Sequence, residues 1–95
     1  PADLEQIKQG QDALNSALDI TYKNIVELEY LEQRALGKYP ELAYDPQFIN
    51  QVTRLKANLN KKYNNLMKRN KILEKYRLKT KKHQKILKPE LTQNQ

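Results

Sequence analysis

The chain has 95 residues, 31% of them charged, with a formal net charge of +7, one Phe, no Trp and no Cys. That length sets one domain as the expectation. So lean an apolar content builds a seam between helices rather than a globular core. The absence of cysteine removes disulfides, thiolate metal ligands and cysteine nucleophiles. No apolar run approaches the roughly 18 residues of a membrane span, and no signal-peptide pattern opens the sequence. Location inside the cell, in cytoplasm or nucleus, is therefore the expectation. The chain opens on Pro1 rather than Met, so an excised fragment or a trimmed start is the expectation.

Residues 3–36 read as a first helix. Asp3 with Gln6 three positions on has the form of a capping box. Leu4, Ile7, Leu14, Leu18, Ile25 and Leu28 then follow a heptad stripe, whose remaining slots hold Gln11, Thr21, Glu32 and Ala35. Gly10 weakens this helix by about 1 kcal/mol relative to Ala. From Ile20 onward apolar residues leave the stripe, as at Tyr22, Val26, Tyr30 and Leu31.

Residues 37–45 read as an elbow, with a short helical turn over Pro40–Tyr44. Gly37 offers a helix stop, Pro40 bars simple continuation, and Asp45-Pro46 is a helix start: the carboxylate accepts first-turn N–H groups, and proline lacks an N–H that would have no partner there. Residues 46–88 read as the second helix, with Val52, Leu55, Leu59, Tyr63, Leu66, Leu73 and Tyr76 as its apolar stripe and Asn70 as a polar slot. Pro89 is the expected stop, and 89–95 an unstructured tail.

The two halves carry opposite charge. Residues 1–48 hold nine acids against four bases, a net of −5, and residues 49–95 hold two acids against fourteen bases, a net of +12. Flanks of unlike sign favour pairing with each other over pairing with a copy of the same helix. The expected fold is all-α: an antiparallel helical hairpin, or coiled coil, of two long helices. A third short helix, a partner or a second copy would complete it to a bundle. Helices of these lengths span about 50 and about 65 Å, so the second outruns the first near residue 80.

Two surfaces stand out. Ile20, Val26, Tyr30, Leu31, Leu42, Tyr44 and Phe48 are apolar beyond what a two-helix seam uses, and form the candidate partner-binding surface. Lys61, Lys68, Lys75, Lys79, Lys82 and Lys85 make a basic surface suited to an acidic protein face or to phosphates. With lysine far exceeding arginine, base reading through bidentate contacts is poorly supplied. Tyr63 and Tyr76 lie on the apolar stripe, so packing explains them better than base stacking. The basic helix lacks the aromatic and leucine face of a membrane-surface helix.

Catalysis has no support. His83 is the only histidine, Gly10 and Gly37 stand apart, and no nucleophile–base–orienter set assembles. No cofactor and no metal is expected. The architecture resembles the antiparallel coiled-coil finger class, to which Rho-binding HR1 modules and many complex-assembly subunits belong. The likeness is one of helix length and pairing, and it transfers no functional residue. The expected function is a non-enzymatic protein–protein interaction module, a scaffold or adaptor within a larger complex. A nucleic-acid-binding element is the alternative, and a small-GTPase or anionic-membrane binder the third.

Overall fold

The computed structural model describes the backbone of residues 3–93 and the side chains of residues 3–83. It is an antiparallel hairpin of two α-helices, α1 (Leu4–Lys38) and α2 (Pro46–Gln93), joined by a 3-10 turn over Pro40–Tyr44. The chain is a narrow ribbon, 76 × 17 × 13 Å. Among the described residues there is no strand.

The start of α1 follows from its first residues. The Asp3 carboxylate accepts from the Gln6 N–H at 2.8 Å, and the Gln6 side chain accepts from the Asp3 N–H at 3.3 Å, which completes the capping box. The end departs from the sequence reading. Gly37 lies within the helix at an ordinary negative φ, and Tyr39 is the cap, its N–H bonded to the Ala35 carbonyl at 2.7 Å. The stop thus comes from Pro40, which disfavours helical geometry in the residue before it.

Asp45 governs the second corner from both sides. Its N–H closes the 3-10 turn onto the Leu42 carbonyl. Its carboxylate accepts from Gln47 N–H at 3.0 Å and from Phe48 N–H at 3.5 Å, and its carbonyl accepts from Ile49 N–H. These are the first-turn donors that Pro46, having no N–H, does not add to.

At its far end α2 continues to Gln93, five residues beyond Lys88, and carries Pro89 within it. Proline forgoes one backbone hydrogen bond and crowds the carbonyl four residues back. Strong helix formers on either side, Lys88 before it and Glu90 and Leu91 after it, favour continuation. Residues 89–93 are therefore helical, while 94 and 95 lie outside the described residues.

The seam follows heptads on both sides. In α1 all ten slots from Leu4 to Ala35 are at least half-buried, the polar ones included. In α2 the buried row is Val52, Lys56, Leu59, Tyr63, Leu66, Asn70, Leu73 and Arg77, at alternating steps of four and three. This corrects the stripe read from sequence: Leu55 and Tyr76 are more than half exposed, and the neighbouring Lys56 and Arg77 take their slots. The exchange has a physical basis, since long basic side chains lay their methylene stems along a seam and leave the charge at its edge.

Among the described residues full burial is confined to Ile7, Leu18, Thr21, Val52 and Leu66. Gly10 lets the helices close together, because a Cβ there would sit 3.2 Å from Leu73 Cδ1. The hydrogen bonds Gln11–Glu74 and Asn15–Asn70 set the level of one helix against the other. Leu4 and Lys81 share the last groove. Beyond that level α2 runs on alone for about three turns.

Candidate interaction surfaces

Three of the four polar slots in the seam tie the register. Gln11 donates to Glu74 Oε2 at 2.6 Å, Asn70 donates to Asn15 Oδ1 at 3.0 Å, and Lys56 Nζ pairs with Glu32 Oε1 at 2.6 Å. Thr21, only 2% exposed, instead turns its hydroxyl back onto the Ala17 carbonyl at 2.7 Å. A serine or threonine bonded this way satisfies its own hydroxyl inside an apolar layer. All the polar interruptions of the stripe thus sit in the interface, and three of them reach across it. Asn70 is incompletely satisfied: its Oδ1 is buried with no hydrogen-bond partner.

The electrostatics of these links are local. The hydrogen bond to Glu32 raises the Lys56 pKa above its ordinary value, and the charges of Glu32 and Glu29 add to the effect. Glu74 is pulled down from 4.5 to about 2, first by its hydrogen bonds from Arg77 and then by the one from Gln11. Arg77 is raised in turn by Glu74. A carboxylate lowered in the folded state stabilises the fold fully above its unfolded pKa. That contribution fades as pH falls through the folded value. Acid titration of the helical signal is therefore expected to show a loss between about pH 4.5 and 2 that Glu74→Gln removes. An unchanged acid transition in Glu74→Gln would show that other carboxylates set it.

Direct charge pairing between the helices is sparse. Among the described residues Lys56–Glu32 is the only ion pair across the seam, while Asp19–Lys23 and Glu74–Arg77 lie within single helices. The opposite charges of the halves thus act as a field and seldom as contacts. No carboxylate of the described residues comes within ion-pair distance of Lys61, Lys68, Lys75, Lys79 or Lys82. All five are exposed. At about 100° per residue they occupy the side of α2 facing away from α1. The side chain of Lys85 lies outside the described residues. His83 is exposed.

The apolar candidates divide. Leu42 and Phe48 are half-buried at the elbow, and Tyr44 is 87% exposed. Ile20, Val26, Tyr30 and Leu31 are all at least half exposed. They do not form one patch, because helical rotation places Ile20 and Leu31 on one flank of α1 and Val26 and Tyr30 toward the other. Tyr22 joins the second group, and Tyr22, Lys23, Val26, Glu27 and Tyr30 line a shallow, largely apolar depression. On that side a cleft opens into the seam between Ile25, Leu28, Glu29, Lys56, Leu59 and Asn60. Sequence reasoning noticed that Tyr22 was off the stripe but did not count it with the surface. Its spacing of four from Val26, and of eight from Tyr30, was the available signal.

Among the described residues no group of three His, Cys, Asp or Glu side chains is placed to hold a metal ion, and no helix is long and apolar enough to cross a membrane. No protein-family model, curated protein or solved structure matches the chain.

Proposed function

We propose that this chain is a non-enzymatic coiled-coil interaction module, a scaffold or adaptor element of a larger assembly. The observation that carries the reading is the surplus of uncovered apolar side chains on α1. Ile20, Tyr22, Val26, Tyr30 and Leu31 each stand at least half exposed on a helix whose seam is already filled. Of these, Tyr22, Val26 and Tyr30 line one apolar depression, and contiguous exposed apolar surface on a small domain is the usual mark of a protein contact. The basic outer side of α2 would then meet an acidic face of the same assembly.

A photo-crosslinking residue placed at Tyr30 in cells that make the chain tests this. Discrete protein adducts are expected, and they should vanish when Val26→Asp is added. Adducts consisting only of nucleic acid, or none at all, would overturn the reading.

One observation favours nucleic acid as the second reading: the unpaired lysines lie in line on the outer side of α2. They would contact the phosphate backbone with little sequence choice. Binding of a generic duplex or RNA at about 50 mM salt, weakening steeply as salt rises, would support it, and the absence of binding there removes it.

A further inference from the structure

We propose that the hairpin face bearing Tyr22 and Met67 docks on the same face of a second copy of this chain. The two hairpins lie codirectional, related by a two-fold axis along their length, with α1 of each on α2 of the other. This rests on the interaction-module reading and names the partner.

The composition of that face carries the argument. The cleft at Glu29, Lys56 and Asn60 and the groove that gathers Asp12, Asn15, Asn70 and Glu74 open on the same side of the ribbon. Rotation at about 100° per residue puts Tyr22 of α1 on this side, with Asp12, Asp19 and Val26, spaced by seven, in one row at its outer edge. On α2 the same rotation gives Met67, with Lys68 and Lys75 at the outer edge. All of these side chains are exposed. The face is therefore acidic along one edge and basic along the other, and between the edges Tyr22 and Met67 are apolar side chains set among polar ones such as Asn15, Glu29 and Asn60.

A two-fold axis along the ribbon is the operation that superposes unlike edges. The cross-seam hydrogen bonds Asn15–Asn70 and Gln11–Glu74 fix which residues share a level. By that register Asp12 meets Lys75 of the second copy, Asp19 meets Lys68 of the second copy, and Tyr22 approaches Met67 of the second copy. Sulfur against an aromatic ring is a favourable contact. Asp19 holds Lys23 at 3.1 Å within its own helix, an exposed pairing that leaves the carboxylate able to accept another cation. A two-fold axis across the ribbon would instead set acids on acids and lysines on lysines, which like-charge repulsion disfavours. The operation is closed, and each contact occurs twice, as in most homodimers. The two-helix part of the ribbon, about 50 Å long by the length of α1 and 17 Å wide, has room for the roughly 800 Å² per partner that stable interfaces bury.

Sedimentation equilibrium at about 150 mM salt, where charges more than about 8 Å apart are largely screened, tests the pairing. At chain concentrations up to about 100 μM, well above a micromolar Kd, the mass of two chains is expected. Tyr22→Asp, which sets a charge against Met67 of the second copy, should give the mass of one chain with its helicity by circular dichroism unchanged. Asp19→Lys and Lys68→Asp should each weaken the dimer by about tenfold, since each reversal is felt twice, and the double variant should restore it. A single-chain mass at the highest concentration, a dimer indifferent to Tyr22→Asp, or failure of the double variant to restore association would each overturn the proposal. If the chain is monomeric and Tyr30 still crosslinks to a different protein, the second-copy interface falls and the module reading stands. If neither occurs, both fall.

Discussion

Leu66→Ala is expected to destabilise the hairpin by about 3 kcal/mol, while Leu55→Ala costs well under 1 kcal/mol. The two leucines share one helix and one residue type, so helix propensity cancels and burial alone separates them. Leu66 is 9% exposed and lies in the unbroken row of the α2 seam, level with Leu18. Truncating it removes packing from both helices and leaves a void that a two-layer structure has few side chains to fill. Leu55 is 51% exposed, so much of its surface is in water already. A small fold with few fully buried apolar side chains sits near the lower end of the usual 5–15 kcal/mol range. A loss of about 3 kcal/mol would then unfold a measurable fraction of the chain at 25 °C. Urea unfolding followed at 222 nm, at one fixed chain concentration, reads both variants. Equal losses would mean that α2 is rotated from the seam described.

Asn70→Leu is expected to act in the opposite direction, raising stability by about 1–2 kcal/mol. Asn70 donates to Asn15, but its own Oδ1 is buried with no partner, so the residue bears a desolvation cost that one hydrogen bond does not offset. A leucine in that slot fills a heptad position between Leu66 and Leu73. Asn15 is exposed, and water can replace the donor it loses. The gain in stability should come with a loss of uniqueness, because a polar residue in such a slot specifies alignment at the expense of stability. Spin labels at the exposed Asn24 and Lys62 should report one narrow distance in the native chain and a broader distribution in Asn70→Leu. A destabilised Asn70→Leu would show that the amide is worth more than the apolar contact.

The seam face of the first helix was legible slot by slot, although the helix runs past the expected stop to Lys38. Its stripe has period 3.5 with every slot identifiable, so even the polar slots Gln11, Thr21 and Glu32 could be assigned to the seam before their partners were known. The second helix was legible as a helix but not in its rotation. A hydropathy reading prefers Leu55 to Lys56 and Tyr76 to Arg77, whereas the fold uses the basic residue in each pair. That preference reverses only when Glu32 stands opposite Lys56, and when Glu74, itself bonded by Gln11, holds Arg77 at 2.6 Å. Those partners belong to the alignment of the two helices, which no single stretch of sequence encodes. The same limit applied to the apolar surface. Composition near the elbow indicated a surplus, but only rotation about α1 divides Ile20 and Leu31 from Val26 and Tyr30. The charge asymmetry correctly pointed to an antiparallel pair, yet among the described residues its direct expression is one ion pair.

The elbow also sets the order in which the pair closes. Lys56 and Glu32 are 24 residues apart, Asn70 and Asn15 are 55 apart, and Gln11 and Glu74 are 63 apart. Loop-closure entropy rises with that separation, so the links nearest the turn form at the least entropic cost, and each one formed shortens the loop left for the next. The chain closes like a zipper from Asp45 outward and opens from the other end first. Amide exchange should therefore grade along α2, slow around Val52 and Leu59 and fast beyond Arg77, with the lysine-rich end the part most often released from its companion helix.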